Sequence, residues 1–356
     1  MNLKKIINKI QKSLQKENAG ILIENPIDTF YLSNFPSTYS KIFISSKNIY
    51  FITDNRYKLE AEKKLSPFFI LEIQTKNFLS LLQKLIKREK IKSLLIDSSF
   101  MTVQEHQILS ENLSIPLLPV SRPIDEYKTK KSSDEILKMK QAQHIADQAF
   151  LETIRIIKPG VSEKDIKIEL EYQFTKFGAD TIAFDTIVAT GPNSAIPHAH
   201  VSNRKIQNKD IVLVDFGARF MGYNSDTTRT LHVGKPTALF KKRYNIIKNL
   251  VDLCEEKVQT KMKAADLDVF ARDYLDKYKL SRYFTHSLGH GVGLEIHEKP
   301  FLNFQSQDIL LSNMIFTIEP GIYFKNWGGI RIEDMVVLKK SHSQPLTKLT
   351  KDLIIL

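Results

Sequence analysis

Leu3, Ile6, Ile7, Ile10 and Leu14 recur every three to four positions between lysines, which predicts a helix with one apolar face at the start of the chain. Packing of that face on its own domain is the preferred reading, and a basic helix lying on a membrane surface is the alternative. Short continuous apolar runs follow at Lys41–Ile44, Ile49–Thr53 and Ser93–Asp97, with a helical stretch over Phe78–Lys90. Strand-like and helical runs in alternation predict an α/β domain. Around Arg122–Lys131 the periodicity is lost among polar residues, which predicts a linker. The expected division is a domain over 1–124, a linker over 125–132 and a second domain over 133–356.

The second part opens with capping-box spacing at Ser132 and Glu135. Ile136, Met139, Ile145 and Phe150 with Ala142, Ala146 and Ala149 then form an apolar face, until Lys158-Pro159-Gly160 stops the helix. A second box would place Ser162 before Ile166, Leu170 and Phe174. From about residue 181 strands and glycine-rich turns take over: Ile211–Val214, Thr227–Val233, Ile315–Ile318 and Ile330–Leu338. No internal repeat or low-complexity segment is visible.

At 356 residues the chain has room for two domains, and 42% hydrophobic with 10% aromatic residues excludes a disordered or collagen-like chain. Its one cysteine, Cys254, excludes a disulfide-stapled scaffold and favours a reducing compartment. No apolar run approaches the roughly 20 residues of a membrane span, and Met1–Gly20 lacks the apolar core of a signal peptide. A cytoplasmic protein without a membrane or nucleic-acid partner is expected. The net charge of +12 bears on the last point. Residues 1–131 hold 21 basic and 13 acidic side chains, mostly scattered lysines without an arginine stripe, which reads as a solvated surface.

The informative anomaly is acidic residues on apolar strands. Asp215 ends Ile-Val-Leu-Val, Asp226 begins the partner strand eleven positions later, Glu319 ends Ile-Phe-Thr-Ile, and Glu333 sits within Ile-Arg-Ile-Glu-Asp-Met-Val-Val. Buried carboxylates are neutral, paired with a cation or bound to metal, and Arg331 alone cannot balance four. A loop with His286, His290 and His297 and three glycines accompanies them. Imidazole with carboxylates suits first-row divalent ions, and the charge of the set would neutralise two. Two such ions about 3.5–4 Å apart form a hydrolytic site.

These motifs carry a resemblance. Val-Asp-Phe-Gly-Ala, Ser-Asp-Thr-Thr-Arg-Thr, Ser-Leu-Gly-His-Gly-Val-Gly-Leu-Glu-Ile-His-Glu, Thr-Ile-Glu-Pro-Gly-Ile-Tyr and Gly-Ile-Arg-Ile-Glu-Asp follow one another as in the pita-bread metallopeptidases. The chain resembles the proline-specific branch, aminopeptidase P and prolidase. The resemblance implies an α/β (α+β) protein, with a creatinase-like amino-terminal domain followed by a pita-bread catalytic domain. It implies Asp215, Asp226, His290, Glu319 and Glu333 as ligands of two divalent ions, Mn²⁺ before Co²⁺, Zn²⁺ or Fe²⁺. Asp226 and Glu333 would bridge the ions, Asp215 would bind one, and His290 with Glu319 the other. Glu319 would also handle the proton of the attacking water. His198 and His297 would meet the substrate, His286 matches a histidine of the proline-specific members, and Arg331 would hold neighbouring carboxylates. His106, His144, His200, His232 and His342 have no such match and read as structural or surface residues.

The reaction implied is cleavage of the bond preceding proline in small Xaa-Pro peptides, by a homodimer. Many prolidases have an arginine four residues after the histidine matching His297; here that position is Phe301, with Lys299 as a nearby point charge. An Xaa-Pro aminopeptidase is therefore favoured over an Xaa-Pro dipeptidase. Methionine aminopeptidases usually lack such a first domain, and creatinase-like amidinohydrolases lack the five ligands. A non-catalytic binding module is the reading from another class, and it offers no reason to keep the carboxylates and histidines together.

Overall fold

The computed structural model describes residues 3–356, so of the leading segment Met1–Gly20 the first two residues lie outside it. The chain divides into two compact units, Met1–Lys128 and Thr129–Leu356. No helix among the described residues is long and apolar enough to cross a membrane.

In the first unit the predicted helix spans Leu3–Glu17 and buries Ile6, Ile7, Ile10 and Leu14. A helix of this length is marginal alone, so its stability comes from the four side chains, each worth about 1.5–3 kcal/mol on burial. They pack on one face of a six-stranded mixed sheet with Ile21, Ile42, Ile44 and Phe51. Leu22, Phe43, Tyr50 and Ile52 point to the other face, where Leu82 and Leu85 of the helix Phe78–Glu89 cover them. Both faces are covered, which is why these strands read as continuous apolar runs rather than alternating ones. The stretch predicted as a linker contains a short helix, Asp125–Thr129. Lys128 is buried there against Asp28 at 2.6 Å, so this polar sequence is not simply a solvated chain.

The second unit is built from two similar halves. In the first, the helices Ser133–Thr153 and Glu163–Lys176 start at the two predicted capping boxes, the second closed by Asp165. They pack on an antiparallel sheet of Thr227–His232, Ile211–Phe216 and Ile187–Thr190. In the second, the helices Ala238–Lys257 and Ala264–Asp276 share a core with a five-stranded antiparallel sheet. That sheet runs Glu298–Leu302, Gly289–Gly291, Ile315–Ile318, Asp334–Leu338 and Ser343–Pro345.

The run Ile330–Leu338, expected as one strand, is broken. Gly328–Arg331 pairs with Gly321–Phe324, whereas Asp334–Leu338 pairs with Ile315–Ile318. The chain changes partners at Ile332 and Glu333, and the glutamate occupies the break.

Candidate metal centre

Four strand ends and one strand centre bring the predicted ligands to one place. Asp215 lies opposite Thr228 in the antiparallel pair, and Asp226 immediately precedes that second strand. His290 is the middle residue of Gly289–Gly291. That strand approaches its neighbour so closely that a Cβ on Gly289 would lie 2.0 Å from the carbonyl oxygen of Thr317, so only glycine fits. Glu319 follows Ile315–Ile318 directly, and Glu333 sits at the strand break. All five line one cavity of about 470 Å³, together with His198, His286, His297 and Arg331.

The polar contacts are short and directional. His290 Nδ1 lies 3.1 Å from the Gly291 carbonyl oxygen and donates to it. Its Nε2 is thereby left without a proton, yet it faces Asp226 Oδ2 at 3.5 Å and Glu319 Oε1 at 3.4 Å. Ligand atoms of Asp226, His290 and Glu333 lie within 4.8 Å of one another. Two carboxylates and an imidazole lone pair gathered this closely are a donor set suited to a cation. Asp215 supplies a further sign: Oδ2 takes a 2.6 Å bond from Arg331, while buried Oδ1 has no hydrogen-bond partner. The set of four carboxylates and one neutral imidazole fits divalent ions.

Electrostatics agree. Burial, then the charges of Glu333, Asp215 and Glu319, raises the Asp226 carboxyl well above its ordinary range. Burial, then Glu319 and Asp215, does the same to Glu333. Burial pushes Glu319 up to about 8. Desolvation depresses His290 and His286 to about 3, so both are neutral at pH 7. His297 is lowered by burial and by His198. Burial opposes the charge of Arg331, but Tyr323, Asp215, Glu319 and Glu333 hold it firmly protonated.

Arg331 organises more than Asp215. It also donates to Tyr323 Oη at 2.7 Å, the Pro197 carbonyl at 3.2 Å and Thr228 Oγ1 at 3.0 Å. Thr228 Oγ1 in turn donates to Glu333 Oε2 at 2.7 Å. The Tyr323 hydroxyl donates to His286 Nε2 at 2.9 Å, because His286 Nδ1 is committed to the Ser287 carbonyl. His286 therefore stands beside the predicted ligands, 3.9 Å from Glu319 Oε2. His297 packs its ring 4.2 Å from that of His290, and His198 is exposed on the cavity wall.

Sequence reading missed Tyr323, Thr228 and Thr317, the last of which donates to Glu319 Oε1 at 3.2 Å. It also missed Arg229, buried beneath Glu333 with Nη1 on the Glu333 carbonyl at 2.6 Å. Lys299 does not replace a cavity arginine: its amino group faces Asp308 at 3.7 Å and it does not line the cavity. His232, read as structural, is buried with its ring on Phe240 and Nδ1 at the Gly234 carbonyl.

Residues 137–340 match the metallopeptidase family M24, and residues 6–127 match the creatinase/prolidase N-terminal domain. An Xaa-Pro dipeptidase of Pyrococcus horikoshii is 34% identical over 354 residues, covering 99% of this chain and 98% of the relative. The solved Xaa-Pro dipeptidase from Bacillus anthracis superposes with a TM-score of 0.96 at 35% identity, covering 100% of each chain. An X-Pro aminopeptidase from Thermotoga maritima gives 0.90 at 33% identity, covering 95% of this chain and 97% of its own. The expected order of a creatinase-type domain and a pita-bread catalytic domain is borne out. The chain belongs to metallopeptidase family M24, whose members use divalent metal ions.

Proposed function

We propose that this metallopeptidase removes the first residue from Xaa-Pro peptides, as an Xaa-Pro aminopeptidase with two divalent ions, Mn²⁺ first among them. Asp215, Asp226, His290, Glu319 and Glu333 would hold the ions, an oxygen-rich set with a single imidazole that suits Mn²⁺, with Co²⁺, Zn²⁺ and Fe²⁺ as alternatives. When bound, the ions supply Lewis acidity toward the scissile carbonyl and a water acidic enough to attack at neutral pH.

The side chains do the rest. Glu319, oriented by Thr317, accepts the proton of the attacking water and delivers it to the proline nitrogen as the bond breaks. His198 and His297 face the cavity and donate to the carbonyl oxygen as its charge grows. Arg331 fixes Asp215 directly and Glu333 through Thr228. Phe184, Ile187, Pro197, Ile296 and Phe301 give the cavity apolar walls suited to a proline ring and the side chain before it. Assembly as a homodimer and a cytoplasmic location belong to the same reading and rest on the resemblance and the lone buried Cys254.

One observation carries the aminopeptidase choice over dipeptidase. Among the described residues the only lysine or arginine lining the cavity is Arg331, and its donors are committed to Asp215, Tyr323, Thr228 and Pro197. A dipeptide's free carboxylate would find no unengaged cation there, whereas a longer peptide needs none. The relatives named Xaa-Pro dipeptidase keep dipeptide hydrolysis as the second reading.

The test is hydrolysis of an Xaa-Pro-Xaa tripeptide beside an Xaa-Pro dipeptide, with Mn²⁺ and after chelation. Metal-dependent cleavage of the tripeptide is expected; cleavage of the dipeptide alone establishes the second reading. His198→Ala should lower kcat on the order of 100-fold with metal content unchanged. An unaltered kcat removes His198 from the reaction.

A further inference from the structure

One lysine of the polar stretch before the catalytic helices has no part in the chemistry above. Lys131 is 2% exposed. Its Nζ donates to Glu298 Oε1 and to the Thr129 carbonyl, and its backbone N–H donates to the Asn313 carbonyl at 2.9 Å. Glu298 is 4% exposed and follows His297 directly in the chain. Its Oε2 has no hydrogen-bond partner among the described residues, so Lys131 is the one cation that balances this buried carboxylate.

The pair is placed where it can act on the site. The Glu298 carboxylate lies against Gly293, where a Cβ would stand 2.4 Å from Oε2. The loop from Gly291 to His297 is thus seated on this carboxylate. Asn224 holds the same loop through Nδ2, which donates to the Gly293 and Leu294 carbonyls at 3.1 Å each. His290 lies just before the loop and His297 ends it, with their rings 4.2 Å apart. Through Asn313, Lys131 also holds the turn entering Ile315–Ile318, the strand that delivers Glu319.

A buried ion pair is a weak source of stability compared with apolar side chains of equal volume. Its particular contribution is a fixed geometry, since the carboxylate and ammonium must meet to offset their desolvation. We propose that Lys131 and Glu298 are a positioning pair that fixes His297 against His290, and thereby sets the distance from His297 to the substrate carbonyl. Its kinetic consequence rests on the proposed Xaa-Pro peptidase reading, but its structural consequence does not.

The test uses Glu298→Gln, nearly isosteric, and Lys131→Met in the full chain. The readouts are the ring resonance of His297 in zinc-loaded, histidine-labelled protein, assigned by its loss in His297→Ala, and kcat on an Xaa-Pro-Xaa tripeptide. Both variants should move the His297 resonance and lower kcat by about 10–100-fold with metal content unchanged. Placed in the His297→Ala background, the same substitutions should lower kcat by less than about twofold, because their effect passes through His297. An unmoved resonance, or an equal loss of kcat in both backgrounds, overturns the proposal. If Lys131→Met does not fold, Glu298→Gln decides alone. If the wild-type protein cleaves no Xaa-Pro peptide, the activity reading fails and the resonance still decides the pair.

Discussion

Asp226→Ala should leave a folded protein that neither retains divalent metal nor hydrolyses peptides. Asp226 faces His290 at 3.5 Å and shares the acidic cluster with Glu333, so its loss opens the centre of the donor set. Metal ions contribute several kcal/mol to such transition states, and each 1.36 kcal/mol is tenfold, so kcat should fall by roughly a thousandfold or more. Elemental analysis beside the peptide assay measures both effects. Full activity in metal-depleted buffer would refute the assignment.

The same side chain predicts an opposite effect on the metal-free protein. Burial and its neighbours raise the Asp226 carboxyl, so the native state binds this proton more tightly than the unfolded chain does. Stability therefore falls as pH rises out of the ordinary carboxylate range. Glu319 adds a window from its usual 4.5 to about 8. Chelated wild-type protein should lose melting temperature across that window, and chelated Asp226→Asn should lose less. Metal binding at pH 7 should release protons, visible as a calorimetric enthalpy that depends on the buffer. A flat stability profile for the chelated wild type would contradict the electrostatics of the site.

On the proposed aminopeptidase reading, Phe301→Arg should bring dipeptide hydrolysis into a cavity whose one lining arginine or lysine among the described residues, Arg331, is already engaged. Phe301 lies directly opposite His290 in the antiparallel pair, and cross-strand partners project on the same face about 5 Å apart. It lines the cavity and remains 40% exposed, so a longer side chain has room to extend. A hydrogen-bonded charge pair to carboxylate is worth about 1.5–3 kcal/mol, so kcat/KM for an Xaa-Pro dipeptide should rise about 10–100-fold relative to a tripeptide. Metal analysis must accompany the kinetics, because the new cation would stand beside His290, a proposed ligand. An unchanged ratio would show that the position does not govern where the peptide ends.

The site was legible where its residues contradict their surroundings. A carboxylate at the end of Ile-Val-Leu-Val or Ile-Phe-Thr-Ile has no packing reason to be there, and the same holds for Arg331 among isoleucines. Thr228, Thr317 and Tyr323 contradict nothing. Threonine and tyrosine are ordinary strand formers, and their hydroxyls acquire meaning only when Arg331, Glu333, Glu319 and His286 arrive from elsewhere. Lys131 was hidden for a related reason: a lysine among polar residues reads as solvated, and its partner lies 167 positions away.

Secondary structure shows the same limit. The helices Leu3–Glu17, Ser133–Thr153 and Glu163–Lys176 announce themselves by period and cap. The break at Glu333 has no glycine or proline to mark it. It arises because the residues on either side pair with different strands, and local sequence does not encode which partner each will find.

The division of the catalytic unit into two halves has a consequence for how the protein is made. Asp215 and Asp226 belong to the half synthesised first, whereas His290, Glu319 and Glu333 all come from the second. An emerging chain that has completed only the first half offers two carboxylates and no imidazole, too few donors to retain a divalent ion firmly. With the proposed ligands, translation would order the events: a chain ending before Gly289 would lack His290, Glu319 and Glu333 and could not complete the centre, however well its first half had folded.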